Sequence, residues 1–541
     1  MKFRLAFILL LSFVLLTVNL GSWGVTETSE ARYAEISKEM LDNQDFVHPK
    51  LLNIHHYHKP PVTYYLTALG YKIFGTNEFG ARFFLQIAIV LQLLLVYGIA
   101  LLLFKKESVA LAAILVYASI PIVLISSRNL TTDAYLNTSV LAAVYFWLRY
   151  KLDGLKPWHL YLFFLMLGLS FEIKGPVGWI FPLLFIGVYK WTQKDKAKLT
   201  VHHFLGMMLM LIVSFAWYIV VFSENQLLWN YFIEKQIANR IASKSFNRAK
   251  PFWFYLVTVP GIGLPWIFFL VHQSFKKFKG IAIKKSNEFV LLVSIVAIFI
   301  IFSIFKTKLI LYILPMFGFV AVLMAKFLSD TKHRTLKVYN AVIVGILGLF
   351  VVGLAGINLF KTKFHFNTYY ALIIAVIVIF ISINILKRSF KKGFLKTTYL
   401  GYTLGLTILF SGSLFMAQNQ TNLNSTKEVI AYIKNNVKDV DNIVVYNYLL
   451  PSAKFYSGKD IVTLNNGHNT VQRETQFETT DHWKPYNIDI RTESGKKQAE
   501  KLLSQKSVLI ARGKHGLPKN LDYLTENLKH VKDFGNWIIY Y

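Results

Sequence analysis

Long apolar runs constrain this chain more than any other feature of its sequence. They recur as far as residue 416, each about 18–22 residues long, which is the length of helix that crosses the hydrocarbon core of a bilayer. Lipid offers no hydrogen-bond partner to an open backbone, so runs of this kind are predicted to be α-helices. Hydrophobic residues make up 54% of the sequence, against about 45–50% in soluble globular domains. The chain is therefore predicted to be an α-helical polytopic membrane protein.

About thirteen such runs can be counted. The first follows Lys2 and Arg4 and resembles a secretory signal, but its length and the lack of a small-residue cleavage site favour an uncleaved helix. Together the runs define a predicted transmembrane domain over residues 1–416. The predicted spans are 4–22, 82–104, 108–126, 134–150, 158–174, 176–191, 203–222, 254–273, 288–305, 309–328, 338–358, 367–386 and 395–416.

The distribution of positive charge predicts the orientation of these helices. A net charge of +30 would suggest nucleic-acid binding in a soluble protein, but here the lysines and arginines cluster in alternate loops between apolar runs, which indicates membrane topology and no nucleic-acid partner. The lysine-rich loops are predicted to be cytoplasmic, as is the N-terminus, and an odd number of spans places the C-terminus outside. The absence of cysteine excludes disulfides, zinc-thiolate sites and a thiol nucleophile.

Three segments on the predicted outer face are long: 23–81, 223–253 and 417–541. The first contains ARYAEISKEMLDN, the pattern of an amphipathic interfacial helix, and a second helix predicted to begin after Pro60-Pro61. The last alternates helical patterns with short apolar strands such as DNIVVYNY, DIVTL and KSVLIA. It is predicted to be a small soluble extracytoplasmic α/β domain.

The outer loops are unusually rich in ionisable residues. They include ETSEARY, HHYHKPP, SRNLTTDA, EIKGP, EKQIANR and FKTKL. Charges at a membrane boundary cost free energy unless they are paired or used. Snorkelling or helix capping explains any one loop, but six such loops on one face favour a cationic pocket with a few carboxylates. A pocket of this kind suits an anionic substrate presented from the membrane, such as a lipid phosphate.

Six sequence motifs carry a resemblance to a known family. In order along the chain they are SEARYAEISKEM, HKPPVTYYLTA, TTDA, KGP, PFWFYL and FSIFKTKLILYILP. Their order and spacing, from about residue 20 to 330, resemble the aminoarabinose transferase and protein O-mannosyltransferase family, the lipid-phosphate-sugar-dependent membrane glycosyltransferases of the GT-C class. That family also has thirteen helices, two interfacial helices in its first loop and an outer C-terminal domain.

The resemblance implies an inverting glycosyltransferase of the bacterial inner membrane. A polyprenyl-phosphate sugar would enter from the bilayer, an acceptor lipid, glycan or protein of the envelope would attack its anomeric carbon, and polyprenyl phosphate would leave. The sequence identifies neither the sugar nor the acceptor. No motif of the family matches the C-terminal segment.

Three carboxylates are candidate catalytic groups. Relatives carry an Asp-Glu pair where this chain has Ser29-Glu30, so Glu30 is the surviving acid, and Glu27 lies about one helical turn earlier. Asp133 follows Thr131-Thr132 at the start of a predicted helix. The alternative for Glu30 is a structural residue favoured by the helix dipole, and for Asp133 a helix N-cap.

The resemblance also implies which residues bind the donor phosphate. The alternative role for Arg32 is a surface ion pair. Lys59 lies just ahead of a helix N-terminus, a position that favours phosphate binding, and its alternative role is that of a snorkelling lysine. Lys174 and Lys308 lie in tight outer turns. The full predicted set is Arg32, Lys59, Lys174, Arg240, Lys308 and Tyr312.

His58 is the candidate metal ligand. It stands where relatives often carry a glutamate that helps to hold a metal, with His48, His55 and His56 nearby. A divalent metal is therefore a candidate cofactor. An interfacial aromatic role is the alternative for these histidines.

Two other functions compete with sugar transfer. A transporter or flippase of a lipid-linked sugar would predict ionisable residues at mid-membrane and paired broken helices. Few charges fall inside the predicted spans, and no internal repeat is visible. A structural role does not explain the set of motifs on one face.

Overall fold

A computed structural model describes residues 2–194, 199–232, 249–277, 286–514 and 516–541. The chain divides into two compact units. The helical unit contains residues 1–18, 84–360 and 366–412, and the mixed unit contains residues 19–83, 361–365 and 413–541.

Helices account for nearly all of the regular structure in the helical unit. Each of the thirteen predicted spans corresponds to a helix or to a pair of helices. The helices are α1 Lys2–Thr17, α4 Glu78–Phe104, α5 Glu107–Tyr117, α6 Pro121–Arg128, α7 Thr132–Leu152, α8 Pro157–Lys174, α9 Val177–Gln193, α10 Val201–Glu224, α11 Leu227–Asn230, α12 Phe254–Ile262, α13 Trp266–Lys277, α14 Asn287–Ile304, α15 Met316–Asp330, α16 His333–Gly356, α17 Thr368–Lys387 and α18 Phe394–Gln418.

Two predicted single spans are bent pairs. Helices α5 and α6 meet at 60°, and α12 and α13 meet at 107°. Proline explains both breaks, because its ring removes a backbone donor and restricts the preceding residue. Pro121 is the first residue of α6, and Pro265 immediately precedes α13. The first helix also differs from its prediction: it ends at Thr17, two residues before Asn19 adopts a φ of 60°.

Length and apolar composition mark six helices of the described residues as able to cross a membrane, or up to eight if each bent pair counts as one span. The six are helices α4, α10, α14, α16 (with the turn after it), α17 and α18. The chain is thus a polytopic helical protein. The count of thirteen spans stays a prediction.

A tight turn separates α8 from α9. Gly175 has a φ of +77°, a conformation that glycine adopts without steric cost, and its N–H bonds to the Phe171 carbonyl at 2.6 Å. Lys174 is therefore held as the last residue of α8. In the connection between α6 and α7, the Thr131 side chain caps α7, which places Asp133 in the first turn of that helix.

The first long segment of the mixed unit folds as two helices and a hairpin. Its elements are α2 Ser29–Asn43, β1 Lys50–Leu51, β2 Ile54–His55 and α3 Val62–Phe74. Helix α3 begins after Pro61, as the sequence predicts. Helix α2 packs on α3 and on a helix of the C-terminal segment. It therefore buries charged as well as apolar residues, among them Glu30, Glu35 and Glu39.

The C-terminal segment forms a six-stranded mixed sheet with helices. Strand order is β5-β4-β3-β6-β8-β7; the first four strands are parallel, and β8 pairs antiparallel with β6 and β7. The elements are α19 Lys427–Asn436, β3 Asn442–Tyr446, α20 Pro451–Ser457, β4 Ile461–Asn465, α21 Asn469–Glu474, β5 Asn487–Asp489, α22 Glu493–Leu503, β6 Ser507–Arg512, β7 Val531–Asp533 and β8 Trp537–Tyr540.

The apolar strand patterns of the sequence lie at the centre of this sheet. Val444, Leu464 and Leu509 are fully buried and pack with Ala499 and Leu503 of α22. Central parallel strands are covered on both faces, which explains why they read as continuous apolar runs.

Candidate functional site

In the helical unit, Asp133 and Lys174 form a buried ion pair. The Lys174 ammonium donates to Asp133 Oδ1 at 2.5 Å, and the two side chains are 7% and 9% exposed. Lys174 Nζ also lies 4.5 Å from the centroid of the Tyr312 ring. The structure thus brings three predicted site residues together, from the start of α7, the end of α8 and the 3-10 turn Ile310–Ile313.

This cluster combines an acid, a cation and an aromatic face. Buried charges are stable only when paired and hydrogen-bonded, so each charge fixes the position of the other. An ammonium held in this way can bind a phosphate oxygen, and a carboxylate beside it can orient a hydroxyl.

The Lys308 side chain is hydrogen-bonded to backbone carbonyl groups. It is 2% exposed, and its ammonium donates to the Lys250 carbonyl at 3.0 Å and to the Phe305 carbonyl. An ammonium has three donors, so one remains for a further acceptor. Tyr312, one turn beyond Lys308 in the chain, lies against Lys174.

In the mixed unit, Glu30 pairs with Arg82. Arg82 Nε donates to Glu30 Oε1 at 2.8 Å, and the backbone N–H and hydroxyl of Thr26 both donate to Glu30 Oε2 at 3.0 Å. The Glu30 side chain is 1% exposed. These contacts fix the turn before α2, which agrees with the structural alternative for Glu30; its catalytic role stays a prediction.

Arg82 is a residue that the sequence interpretation missed. Its guanidinium is fully buried, donates to the carbonyls of Leu20, Trp23 and Gly24 at 2.9–3.1 Å, and stacks 4.2 Å from the Trp23 ring centroid. The available signal was an arginine at the first position of a predicted apolar span, where an unpaired charge is costly.

Glu27 has an unusual environment in the loop before α2. Its Oε1 accepts a hydrogen bond from the Ser452 N–H at 2.8 Å. Burial raises the pKa of Glu27 to about 7, although this hydrogen bond and the nearby guanidinium of Arg32 favour the charged form. Glu27 is therefore a carboxyl group that exchanges its proton near neutral pH.

Arg32 is half-buried on α2, one turn beyond Thr28. Its Nε atom is buried without a hydrogen-bond partner among the described residues. A buried donor without an acceptor is costly, and a phosphate oxygen would satisfy it. Lys59 is half-buried and precedes Pro60-Pro61 and α3.

His58 belongs to a buried His₂Glu group. His56 Nδ1 and His58 Nε2 lie 2.6 and 3.1 Å from the same Glu474 oxygen, and the carboxylate is 1% exposed. Arg473 pairs with the other Glu474 oxygen. Two imidazoles and a carboxylate suit a divalent metal, so the residues fit the predicted metal role of His58. Glu474, from the C-terminal segment, could not be found from the sequence because no local pattern marks it.

A second charged group surrounds Lys454. Its ammonium lies 2.8 Å from Glu39 Oε1 and 2.9 Å from Asp460 Oδ1, and Glu39 also accepts from the Leu52 N–H. These contacts join α2, the β1–β2 turn and α20. They were not anticipated from the sequence either. Arg240, the remaining predicted phosphate ligand, lies outside the described residues.

Comparison with known sequences shows similarity to one family model and to arabinosyl transferases of other bacteria. The family described as dolichyl-phosphate-mannose-protein mannosyltransferase matches residues 58–219. The undecaprenyl phosphate-alpha-4-amino-4-deoxy-L-arabinose arabinosyl transferase of Pectobacterium atrosepticum is 30% identical over 419 residues, 74% of this chain and 73% of that relative. Arabinosyl transferase 1 of Pseudomonas fluorescens is 29% identical over 354 residues, 64% of this chain and 63%, slightly under two thirds, of that relative.

Comparison with solved structures extends the likeness to nearly the whole chain. The crystal structure of ArnT from Cupriavidus metallidurans bound to undecaprenyl phosphate superposes with a TM-score of 0.80, covering 99% of this chain and 97% of that chain at 18% identity. The apo state of the same protein gives a TM-score of 0.78 over 100% and 98% of the two chains, also at 18% identity. The fold is therefore the same.

Proposed function

Because the chain belongs to the family of undecaprenyl phosphate-aminoarabinose arabinosyl transferases, we propose that it transfers a sugar from a polyprenyl-phosphate donor to an envelope acceptor. The buried Asp133–Lys174 pair beside Tyr312 carries the proposal. It supplies a fixed cation for the leaving phosphate. The names of the relatives and the family resemblance supply the donor class.

The reaction is a displacement at the anomeric carbon. The acceptor oxygen forms a bond to that carbon, the bond from the carbon to the phosphate oxygen breaks, and polyprenyl phosphate leaves with the electron pair. The configuration at the carbon inverts. Lys174 stabilises the charge that develops on the phosphate, because a preorganised ammonium costs little reorganisation as the reaction proceeds. We assign Arg32, Lys59, Lys308, Tyr312 and Arg240 to the same donor by resemblance.

The proton of the acceptor hydroxyl goes to a carboxylate. Among Glu27, Glu30 and Asp133 we assign this step to Glu27, since Glu30 is engaged by Arg82 and Asp133 by Lys174. A pKa near the working pH is the property that a general base needs. His56, His58 and Glu474 would hold a divalent metal, which supplies positive charge and cross-links the first loop to the C-terminal segment.

The direct test is transfer in membranes that contain the protein. Vesicles supplied with radiolabelled undecaprenyl-phosphate sugar should pass the label to lipid A-like lipid, glycan or protein, which solvent extraction separates. Label that crosses the membrane without leaving undecaprenyl phosphate would indicate a flippase instead, and would overturn the proposal.

The topology can be tested because the chain has no cysteine. We propose thirteen spans with the N-terminus in the cytoplasm and residues 417–541 as an extracytoplasmic domain. A Ser504→Cys variant, altered at an exposed position of the C-terminal segment, should react with an impermeant thiol reagent on intact spheroplasts. Ser389→Cys, exposed in a lysine-rich loop, should react only after lysis. The reverse pattern would invert the topology.

The assignment of Glu27 predicts a pH dependence. Since the pKa of Glu27 is raised to about 7, its carboxylate is scarce at pH 6 and prevails at pH 8, so the transfer rate should rise roughly tenfold over that range. Folding stability changes in the opposite direction. The folded protein holds the Glu27 proton more tightly than the unfolded chain does, so folding stability is lost as pH rises from the unfolded pKa of Glu27 toward 7.

Glu27→Gln should remove both the rise in transfer rate with pH and the loss of folding stability with pH. Asp42→Asn, which changes an exposed carboxylate on α2, is the matched control and should leave both profiles as in the unmodified protein. A Glu27→Gln protein with an unchanged rate profile would remove Glu27 from the mechanism and leave Asp133 as the next acid to test.

A further inference from the structure

A second group of histidine and glutamate side chains lies apart from the His56–His58–Glu474 group. It consists of His55 at the end of β2 with Glu478 and His482 of the C-terminal segment. One ligand atom from each of the three residues lies within 4.8 Å of the others. No residue of this group takes part in the proposed transfer.

The distances between the side-chain nitrogen and oxygen atoms of this group resemble those between the ligand atoms of a tetrahedral metal site. His55 Nδ1 lies 3.1–3.2 Å from the two Glu478 oxygens, and His482 Nδ1 lies 3.7 Å from Oε2. Ligand atoms about 2.0–2.1 Å from a tetrahedral zinc ion are about 3.3–3.4 Å apart.

The surroundings orient the ligand atoms. His482 Nε2 lies 3.1 Å from the Asn53 carbonyl, which can only accept, so a ring tautomer with its proton on Nε2 fits this contact and leaves Nδ1 available to a metal. This is the arrangement that metal-binding histidines commonly show. The exposed hydroxyl of Thr480 contacts Nδ1 at 2.7 Å, a contact that water can replace.

The other two ligands are held more rigidly. The His55 N–H donates to Glu478 Oε1 at 2.5 Å, and the His55 ring stacks on Tyr57 with centroids 5.6 Å apart. The Glu478 side chain is 2% exposed, whereas His55 and His482 are 23% and 37% exposed. The buried Glu478 side of the group is therefore preorganised, and the side formed by the two histidines is partly exposed to solvent.

We propose that His55, Glu478 and His482 form a divalent-metal site for Zn²⁺ or an ion of similar chemistry, with solvent as the fourth ligand. The ion would bind His55 Nδ1 in place of the hydrogen-bonding proton that faces Glu478, and the bound imidazole would be neutral with its proton on Nε2. Because His55 lies in the first loop and the other ligands lie more than four hundred residues later, the ion cross-links these two segments of the mixed unit.

Zinc binding by the full chain in detergent tests the site. After treatment with a chelator, the protein is dialysed against Zn²⁺ and its metal content is measured. His482→Ala should bind one equivalent less than the unmodified protein, whereas His530→Ala, which changes an exposed histidine outside both groups, should bind the same amount. His58→Ala should still retain the equivalent that His482→Ala loses.

Thermal unfolding gives a second readout. At about a hundred times the dissociation constant, Zn²⁺ should raise the melting temperature of the unmodified protein by about 5–10 °C, and His482→Ala should lose the part of the rise that this site contributes. Glu478→Gln checks the buried ligand. If the unmodified chain binds no zinc, or if His482→Ala binds as much zinc as His530→Ala does, the proposal is wrong, whatever the outcome for sugar transfer.

Discussion

Replacement of Lys174 by methionine is expected to lower sugar transfer about a hundredfold or more. The ammonium of Lys174 is the charge that the proposed mechanism places on the leaving phosphate, and charge-assisted contacts of this kind are worth about 1.5–3 kcal/mol, with preorganised donors reaching about a hundred- to a thousandfold in rate. Transfer from undecaprenyl-phosphate sugar in reconstituted vesicles, normalised to folded protein, measures the effect. Lys190→Met, at an exposed lysine of α9, should retain full activity.

A companion variant separates phosphate binding from simple charge pairing. Lys174→Met alone leaves the Asp133 carboxylate buried without its partner, which costs about 3–5 kcal/mol of folding free energy. The double variant Asp133→Asn, Lys174→Met removes both charges and should recover most of that stability. Its transfer rate should stay low if Lys174 binds the donor. A double variant that regains both stability and activity would show that Lys174 only neutralises Asp133.

Replacement of Arg82 by methionine should produce a large loss of stability. The change leaves the Glu30 carboxylate buried and removes the donors to three backbone carbonyls. Breaking a buried pair from one side costs about 3–5 kcal/mol, so the melting temperature of the full chain should fall by roughly 10 °C. Arg82→Lys should lose less, because an ammonium keeps the charge but cannot reproduce the fork of a guanidinium.

Glu30→Gln then decides between the two interpretations of Glu30. A neutral amide keeps an acceptor for Arg82 and Thr26, so a structural Glu30 predicts a moderate loss of stability with a normal rate per folded molecule. A Glu30 that handles the acceptor proton predicts a rate at least about a hundredfold lower. If the melting temperature of Arg82→Met equals that of the unmodified protein, the buried pair does not hold the first loop, and the structural interpretation of Glu30 loses its basis.

The sequence predicted the secondary structure well. Apolar length and proline or glycine positions are local properties, and each predicted span corresponds to a helix or a pair of helices, including the division at Gly175. The strands DNIVVYNY, DIVTL and KSVLIA were indicated as well. The bends at Pro121 and Pro265 were missed, because an apolar run of the correct length conceals a break in a helix.

The candidate site was only partly predictable. Asp133, Lys174 and Tyr312 were each identified from motifs, but their mutual contact was not. Arg82, Glu39 and Lys454 were missed because a charged residue in a sequence gives no indication of its partner. Glu474 and Glu478 lie in a segment that matches no motif, so only the fold connects them to the histidines of the first loop.

The sequence by itself determined three properties: the chain crosses a membrane repeatedly, it belongs to a recognisable family, and certain ionisable residues lie between its helices. Hydropathy and motif spacing are local properties of the sequence, so these conclusions need no tertiary structure. The tertiary structure alone decided which charges meet. Glu30 and Arg82 are 52 residues apart in sequence, and His56 and Glu474 are 418 apart. Burying a charge is costly unless a partner is within reach, so packing that brings distant segments together determines which residues are held as structure and which remain free to act.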